Sequence, residues 1–569
     1  MSEYKHGAYG EINAAGNRIS GDSQGAMVYI GTAPVHMIAG GANNVNVPIL
    51  IRNIAEARKY FGYSDNWADY TLCEAMHVHF DMKGVGPVVF INVLDPGKHY
   101  KTASTSVSKT PSDGSFTIAD AENIDLSTIA ITVTGSGTAK TEGTDYTMSY
   151  DNQTKVLTVT EKTSGSLGTS ALTVAYDYID VQSVSKTPSG GVITITNAEN
   201  IILDSVDVLT KTKGTDYTVA YDIDRKKITI TEKSAGSLGT SALSIAYRLI
   251  DPATVANADV IGSTDGLGLN KGIFAIKDVY QVTGYIPSYV VCPGFSSIPD
   301  VHAALYQNSV KVNGHWDVYM FTDLPITNSG TDLTLDTVFT FKKANSYTHE
   351  NETPAFPLVE GTDGKKYHLS VLRAANFQEL LLTQDGIPYR TASNTECAII
   401  QNLYLGEAYK GRIVDDSIIN EKLNKNGIAS AAYLGGHWVL WGAHSGDYDQ
   451  DNATQINVAE TNRLMMYYIS NDFQARRSRD VDQPVTKNDI LSIVSEEQAR
   501  LDALVNIGAL IFAEVSLNAS EDARSDMLSG DWSLNFRVTT TPLAKSFTAV
   551  VTWTDEGFVT YFEEEEETA

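Results

Sequence analysis

The chain has 569 residues and 42% apolar side chains, too long for one hydrophobic core and too apolar for wholesale disorder, so about three to five domains are expected. A formal net charge of −27 argues against a nucleic-acid coat, which needs clustered surface cations to meet phosphate. No run approaches the length of a membrane span and the opening MSEYKHGAYGEINAAGNRIS carries no export pattern, so accumulation in the cytoplasm of the producing cell is expected.

The first expected element is a short helix at 53–62, NIAEARKYFG, with Asn53 as its cap and Gly62 as its stop. A second helix is expected at 70–84, and VVFINVLDP at 88–96 reads as a buried strand ending in a turn. Residues 104–251 then contain no His, Cys or Trp, whereas the flanks hold all eleven His and all six Trp. That compositional step marks an insertion.

The insertion is a tandem repeat. SVSKTPS at 106–112 returns at 183–189, AENI at 121–124 returns at 198–201, GTDYT at 143–147 returns at 214–218, and GSLGTSAL at 165–172 returns at 236–243. The offset falls from 77 to 71, so the second copy lacks six residues opposite STIAITVTGSGTAK. VLTVT (156–160), LTVAY (172–176), VITIT (192–196) and KITIT (227–231) alternate apolar and hydroxyl side chains between Gly, Ser, Asp and Asn turns. Each copy therefore reads as a small all-β sandwich module of immunoglobulin-like type, spanning 104–180 and 181–251, without the Cys and Trp of antibody domains. A passive spacer or surface decoration is one role for such modules; binding to surface glycan or protein is the other.

The host resumes with PSYVVCPGFSS (287–297) as a buried strand, a helix from about residue 299 and a strand at WDVYMFTDLP (316–325), which makes 26–103 and 252–400 one discontinuous mixed α/β body. In the region 401–544, taken as a C-terminal core domain, NVAETNRLMMYYISN (457–471) has helical periodicity. A helix from about Asn488 brings Ile490, Ile493, Leu501, Leu504 and Val505 toward one face, with Gly508 near its end. LIFAEVSL, SLNFRVTTTPL and FTAVVTW follow as strands, and the chain closes on five glutamates, Glu563 to Glu567.

Candidate chemistry fails at each place it arises. His77 and His79 stand at i and i+2, about 200° apart on a helix, and cannot clasp one ion there. DYDQDN (447–452) opens like a calcium loop with Asp447, Asp449 and Asp451, then has Asn452 at the sixth position and Val458 at the twelfth, where Gly and a bidentate Glu belong. EGTDGKKY (360–367) lacks the spacing of a phosphate loop, and G-x-S-x-G is absent. No catalytic residue, metal ligand or cofactor is assigned. Cys73, Cys292 and Cys397 suit reduced core thiols. Arg476, Arg477 and Arg479 cluster in an acidic chain, either as a helix end matched to its dipole or as an intersubunit contact.

The order of phrases resembles the tail-sheath proteins of contractile bacteriophages and phage-tail-like bacteriocins. It is carried by HGAYGEI (6–12), MVYIGTAP (27–34), VNVPILIRNIAEARKYFG (45–62), VVCPGFSSIPDVHAAL, FTDLP, NKNGIASAAYLGGHWVLWGAHS (424–445) and the run 507–553, and spans roughly residues 1–100 and 252–560. The resemblance implies a non-enzymatic subunit that polymerises as a helical homo-oligomer, in six-fold rings, around a tail tube. Its further partners would be baseplate and tail-terminator proteins, with no direct contact to nucleic acid and no membrane insertion. It also implies a virion or phage-tail-like particle assembled in the host cytoplasm, and chain ends that add strands to neighbours. These would be an N-terminal arm at 1–25 containing Tyr9, and a C-terminal arm at 545–569 presenting Phe547, Ala549, Val551 and Trp553. The arginine cluster would meet the tube or a neighbour. A cell-surface adhesin is the alternative, which lacks the export signal it would need; a hydrolase is a further one, without a visible catalytic constellation.

Overall fold

The computed structural model describes residues 25–406, 414–518, 527 and 530–558. It is a mixed α/β molecule with many small sheets. The described residues divide into two compact units between Asp482 and Gln483, inside the stretch that the sequence suggests is one C-terminal domain.

The first unit is organised by a six-stranded sheet of β1 (Gly25–Gly31), β2 (Ile49–Ile51), β3 (Val88–Asn92), β4 (Ile286–Val291), β5 (Tyr319–Asp323) and β6 (Glu352–Ala355), in the order β2-β3-β1-β4-β5-β6. All neighbours are parallel except β2 on β3. The central strands are buried on both faces, which is why β1, β3 and β4 read as near-continuous apolar runs. Tyr29, Phe90, Val291 and Phe321 feed one core, while Val28, Ile91, Val290 and Met320 feed the other. Because β1 pairs with β3 on one side and β4 on the other, residues far apart in sequence close one sheet around the insertion.

Helix α1 (Ile54–Phe61) has the expected ends. Asn53 accepts from the Glu56 amide at 2.9 Å, and Gly62 turns the chain at φ 74°, where a Cβ would come within 2.5 Å of the Pro34 carbonyl oxygen. The expected helix at 70–84 is α2 (Thr71–Met76) continued by a π-helical stretch, His77–Met82. His79 turns into the core, with Nε2 2.7 Å from the Tyr29 hydroxyl, and His77 pairs with Asp81 at 3.3 Å, so the two rings serve different neighbours. The longer helices of the body include α3 (Pro299–Gln307), α4 (Leu369–Thr383) and α5 (Glu460–Arg477), α5 running past the expected 457–471 to include Arg476 and Arg477. Cys73, Cys292 and Cys397 are buried free thiols, as expected.

Each repeat is a pair of facing sheets over its own core. In the first, strands Thr102–Lys109, Leu172–Ile179, Ala130–Val133 and Ala139–Lys140 face Ser115–Ile118, Val156–Glu161 and Tyr146–Asp151 across Phe116, Ile131, Leu157 and Val174. The second repeats that order with Val181–Lys186, Leu243–Arg248 and Asp207–Val208 against Val192–Ile195, Lys227–Glu232 and Tyr217–Asp222. The six-residue gap falls where the first copy forms the hairpin Ala130–Val133/Ala139–Lys140 and the second keeps only Asp207–Val208. The insertion enters and leaves at one place: Tyr100 and Ile250 form an antiparallel bridge, and the Lys101 amide donates to Leu249.

The second unit contains α6 (Lys487–Asn506) and the antiparallel hairpin β7 (Leu510–Leu517) and β8 (Leu534–Thr540). Thr486 and Asp489 form a capping box at the start of α6, and Ile490, Leu501 and Leu504 are its buried apolar residues, with Ile493 half-buried.

Candidate functional site

In the second unit, the most exposed of the described large apolar side chains lie in the stretch after β8. The sequence pattern predicts a strand from residue 545, yet residues 541–558 join no sheet among the described residues, and a single helical turn occupies 556–558. A strand is stable only with a partner's backbone beside it. Phe547 and Val551 are 92% exposed and Trp553 80%, while Ala549 is exposed as well. Side chains of this size are rarely left in water together without a partner surface. The other expected donor, Tyr9, and the arm around it lie outside the described residues, as do positions 559–569 with the five glutamates.

Helix α6 shields one edge of the adjacent hairpin. The Gln498 side chain donates to the Ala513 carbonyl at 3.2 Å and accepts from the Val515 amide at 2.7 Å, so its amide group stands where a further strand would bond. A covered edge is protected from unspecific pairing. Ile511 and Phe512 of β7 remain largely exposed.

The arginine cluster sits at the C-terminal end of α5. Arg476 Nε donates to Asp472 Oδ2 at 3.0 Å and Arg477 Nη1 to Asp480 Oδ2 at 3.0 Å, both half-buried, while Arg479 is exposed and also engaged. Two of the three cations thus lie in the last turn, where they oppose the helix dipole. Asp449 of the calcium-like loop binds Lys343 at 2.7 Å, and Asp447 accepts from Ser445 at 2.6 Å.

The first unit also holds a buried polar centre that the sequence did not reveal. At the C-terminal ends of the parallel strands, where open α/β sheets commonly seat a ligand, the side chains are bonded to one another. Ser370 binds Asp323 through its hydroxyl and amide, and the Asp323 amide donates to Ser296. His368 Nδ1 lies 2.6 Å from the buried Glu74 carboxylate. Burial alone would lower the His368 pKa; the charge and hydrogen bond of Glu74, with Asp323 beyond, outweigh it and raise the pKa to about 9. Arg373 donates to Glu460 at 2.6 Å, and Thr391 and Thr353 complete that carboxylate's shell. Beside β6, His302 Nε2 donates to Glu352 Oε2 at 2.7 Å, with His349 adjacent. Of these groups only the His349-x-x-Glu352 spacing was available to a sequence reader; the others meet through the fold.

The first unit is thus a mixed α/β body with an inserted β tandem, and the second ends, among its described residues, in an exposed apolar segment. Comparison with known proteins finds a curated relative and similar solved structures. The chain is 23% identical over 363 residues to the tail sheath protein of Burkholderia phage BcepMu, covering 62% of this chain and 72% of that one. Among solved structures it is similar to the sheath tail protein of Desulfitobacterium hafniense (TM-score 0.43, 11% identity, 90% and 93% of the two chains) and that of Listeria innocua (0.42, 12%, 91% and 96%). No family model matches. The resemblance to phage tail sheath proteins carried by the ordered phrases is thus found independently in a curated relative.

Proposed function

We propose that this chain is the structural subunit of a contractile tail sheath. It polymerises as stacked, six-fold rings around a tail tube and contracts to drive the tube through a bacterial envelope, in a phage or a phage-tail-like particle. The work comes from exchanging one set of intersubunit contacts for a lower-energy set between rigid bodies, without nucleotide hydrolysis. The observation that supports this most is the C-terminal segment, whose Phe547, Val551 and Trp553 stand in solvent. Donated to a neighbour's sheet, the segment would gain backbone partners and bury its apolar row. At roughly 1 kcal/mol net per hydrogen bond, each arm contributes modestly, and many identical arms make a continuous mesh.

The N-terminal arm with Tyr9 would act in the same way, and Arg476, Arg477 and Arg479 would meet the tube or a neighbour. Baseplate and terminator proteins would close the ends of the cylinder. The tandem modules would be immunoglobulin-like decorations on the outer face, able to touch surface glycan or protein.

Negative-stain microscopy of the purified protein tests the reading. Striated cylinders or polysheaths are expected from the full chain. Removal of residues 545–569, or the pair Val551→Asp and Trp553→Asp, should leave a folded body with unchanged circular dichroism that forms no cylinder. Unimpaired cylinders from the truncation would refute arm donation, and discrete monomers from the full chain under all conditions would refute the sheath itself.

A further inference from the structure

Beside the edge strand β6, three residues from two parts of the chain converge. His302 comes from α3, and His349 and Glu352 flank the start of β6; one ligand atom from each lies within 4.8 Å of the others. His302 and Glu352 are fully buried, while His349 is half-buried and keeps a route to solvent. The rings are held in place. Tyr347 stacks on His302 with centroids 3.7 Å apart, Tyr306 stacks on His349 at 3.4 Å, and the two imidazoles lie nearly parallel, 24° apart. Glu352 is oriented by the Thr322 hydroxyl at 3.2 Å and the His349 amide at 2.8 Å. The backbone is held as well: the Gly446 amide donates to the Glu352 carbonyl at 2.7 Å, at a position where a Cβ would come within 2.6 Å of Glu352 Cγ.

Two imidazoles and a carboxylate with pre-oriented rings form the donor set of a borderline-soft divalent ion. Ligand bonds of about 2.1 Å in a tetrahedron separate the donor atoms by roughly 3.4 Å. His302 and Glu352, now hydrogen-bonded at 2.7 Å, would open by about 0.7 Å to the spacing of a tetrahedral site, and His349 would slide inward along the face of Tyr306. Lys342 contributes a cation near Glu352, offset by Asp447 and Asp449, and Glu350 lies near His349.

We propose that His302, His349 and Glu352 bind one zinc-class divalent cation, with the fourth position open to water on the His349 side. The ion would tie α3 to the edge strand β6, and so fasten the end of the six-stranded sheet.

Full-length protein stripped with chelator and titrated calorimetrically with Zn2+ should take up one ion per chain. Co2+ should give the intense visible bands of a four-coordinate site, and His349→Ala should weaken Zn2+ binding about 100-fold while its unfolding curve matches that of metal-free wild type. Glu352→Gln should weaken binding too, but it removes a buried group and could prevent folding. His349, half-exposed, is therefore the deciding position, and the Co2+ spectrum of wild type is an independent readout. Weak six-coordinate Co2+ bands, no uptake at micromolar Zn2+, or equal uptake by His349→Ala would overturn the proposal and leave a buried His–Glu hydrogen bond.

Discussion

His368, His36 and His79 show one side chain used in opposite senses. Glu74 and Asp323 hold His368 protonated, with a pKa raised to about 9. Burial instead lowers His36 to about 4 and His79 to about 3, outweighing the carbonyl and charge of Glu199 at His36 and the Gln378 side chain at His79. For His368 the folded pKa lies above the unfolded value near 6.5, so its contribution is complete below pH 6.5 and is lost as pH rises toward 9. The other two act in the acid window: below pH 6.5 the unfolded chain takes up protons that the folded chain refuses, and stability falls toward pH 4. Thermal unfolding between pH 6.5 and 9.5 should show the alkaline loss, at most about 1.4 kcal/mol per pH unit from this group. His368→Gln should flatten that limb and leave the acid limb unchanged; an alkaline limb that persists in His368→Gln would assign it to other groups.

At the scale of elements, the two repeats differ in how they are attached. The contacts to the body come from the second copy. His36 Nε2 bonds to the Glu199 carbonyl at 2.8 Å, the Ser64 hydroxyl to the Glu199 carboxylate at 2.7 Å and the Gly40 amide to Asp204 at 2.8 Å, while Ile202 enters the main core. The first copy is reached through the junction where the Asp180 amide donates to Lys101. Removing residues 102–179 and joining Lys101 to Asp180 should therefore leave body stability within about 0.5 kcal/mol of the parent. Removing 104–251 should preserve cylinders if the modules are decoration, yet cost on the order of 2–3 kcal/mol through the lost bonds at His36, Ser64 and Gly40. Calorimetric melting of the two deletions checks this, and equal destabilisation by both would contradict it.

For the whole molecule, charge is the controlling term. Subunits with a formal charge of −27 repel one another when packed side by side. The screening length shrinks from about 30 Å at 10 mM salt to about 8 Å at 150 mM. Sedimentation should therefore find more polymer as salt rises over that range. A decrease would mean that opposite-charge contacts, such as those proposed for Arg476, Arg477 and Arg479, outweigh the net repulsion.

Local signals were legible in the sequence because they depend on neighbours in the chain. The Asn53 cap, the Gly62 stop, the alternating repeat strands and the buried strands on either side of the insertion are all written within a few residues of where they act. The resemblance to sheath proteins likewise rested on ordered phrases. What only the tertiary structure decided was whatever joins distant segments: β1 seated between β3 and β4, the carboxylates of Glu74, Glu352 and Glu460 matched to their partners, and module two docked on His36. The segment after β8 shows the reason from the other side. Its pattern is that of a strand, but a strand exists only where another backbone satisfies its hydrogen bonds, and among the described residues no strand is paired with it.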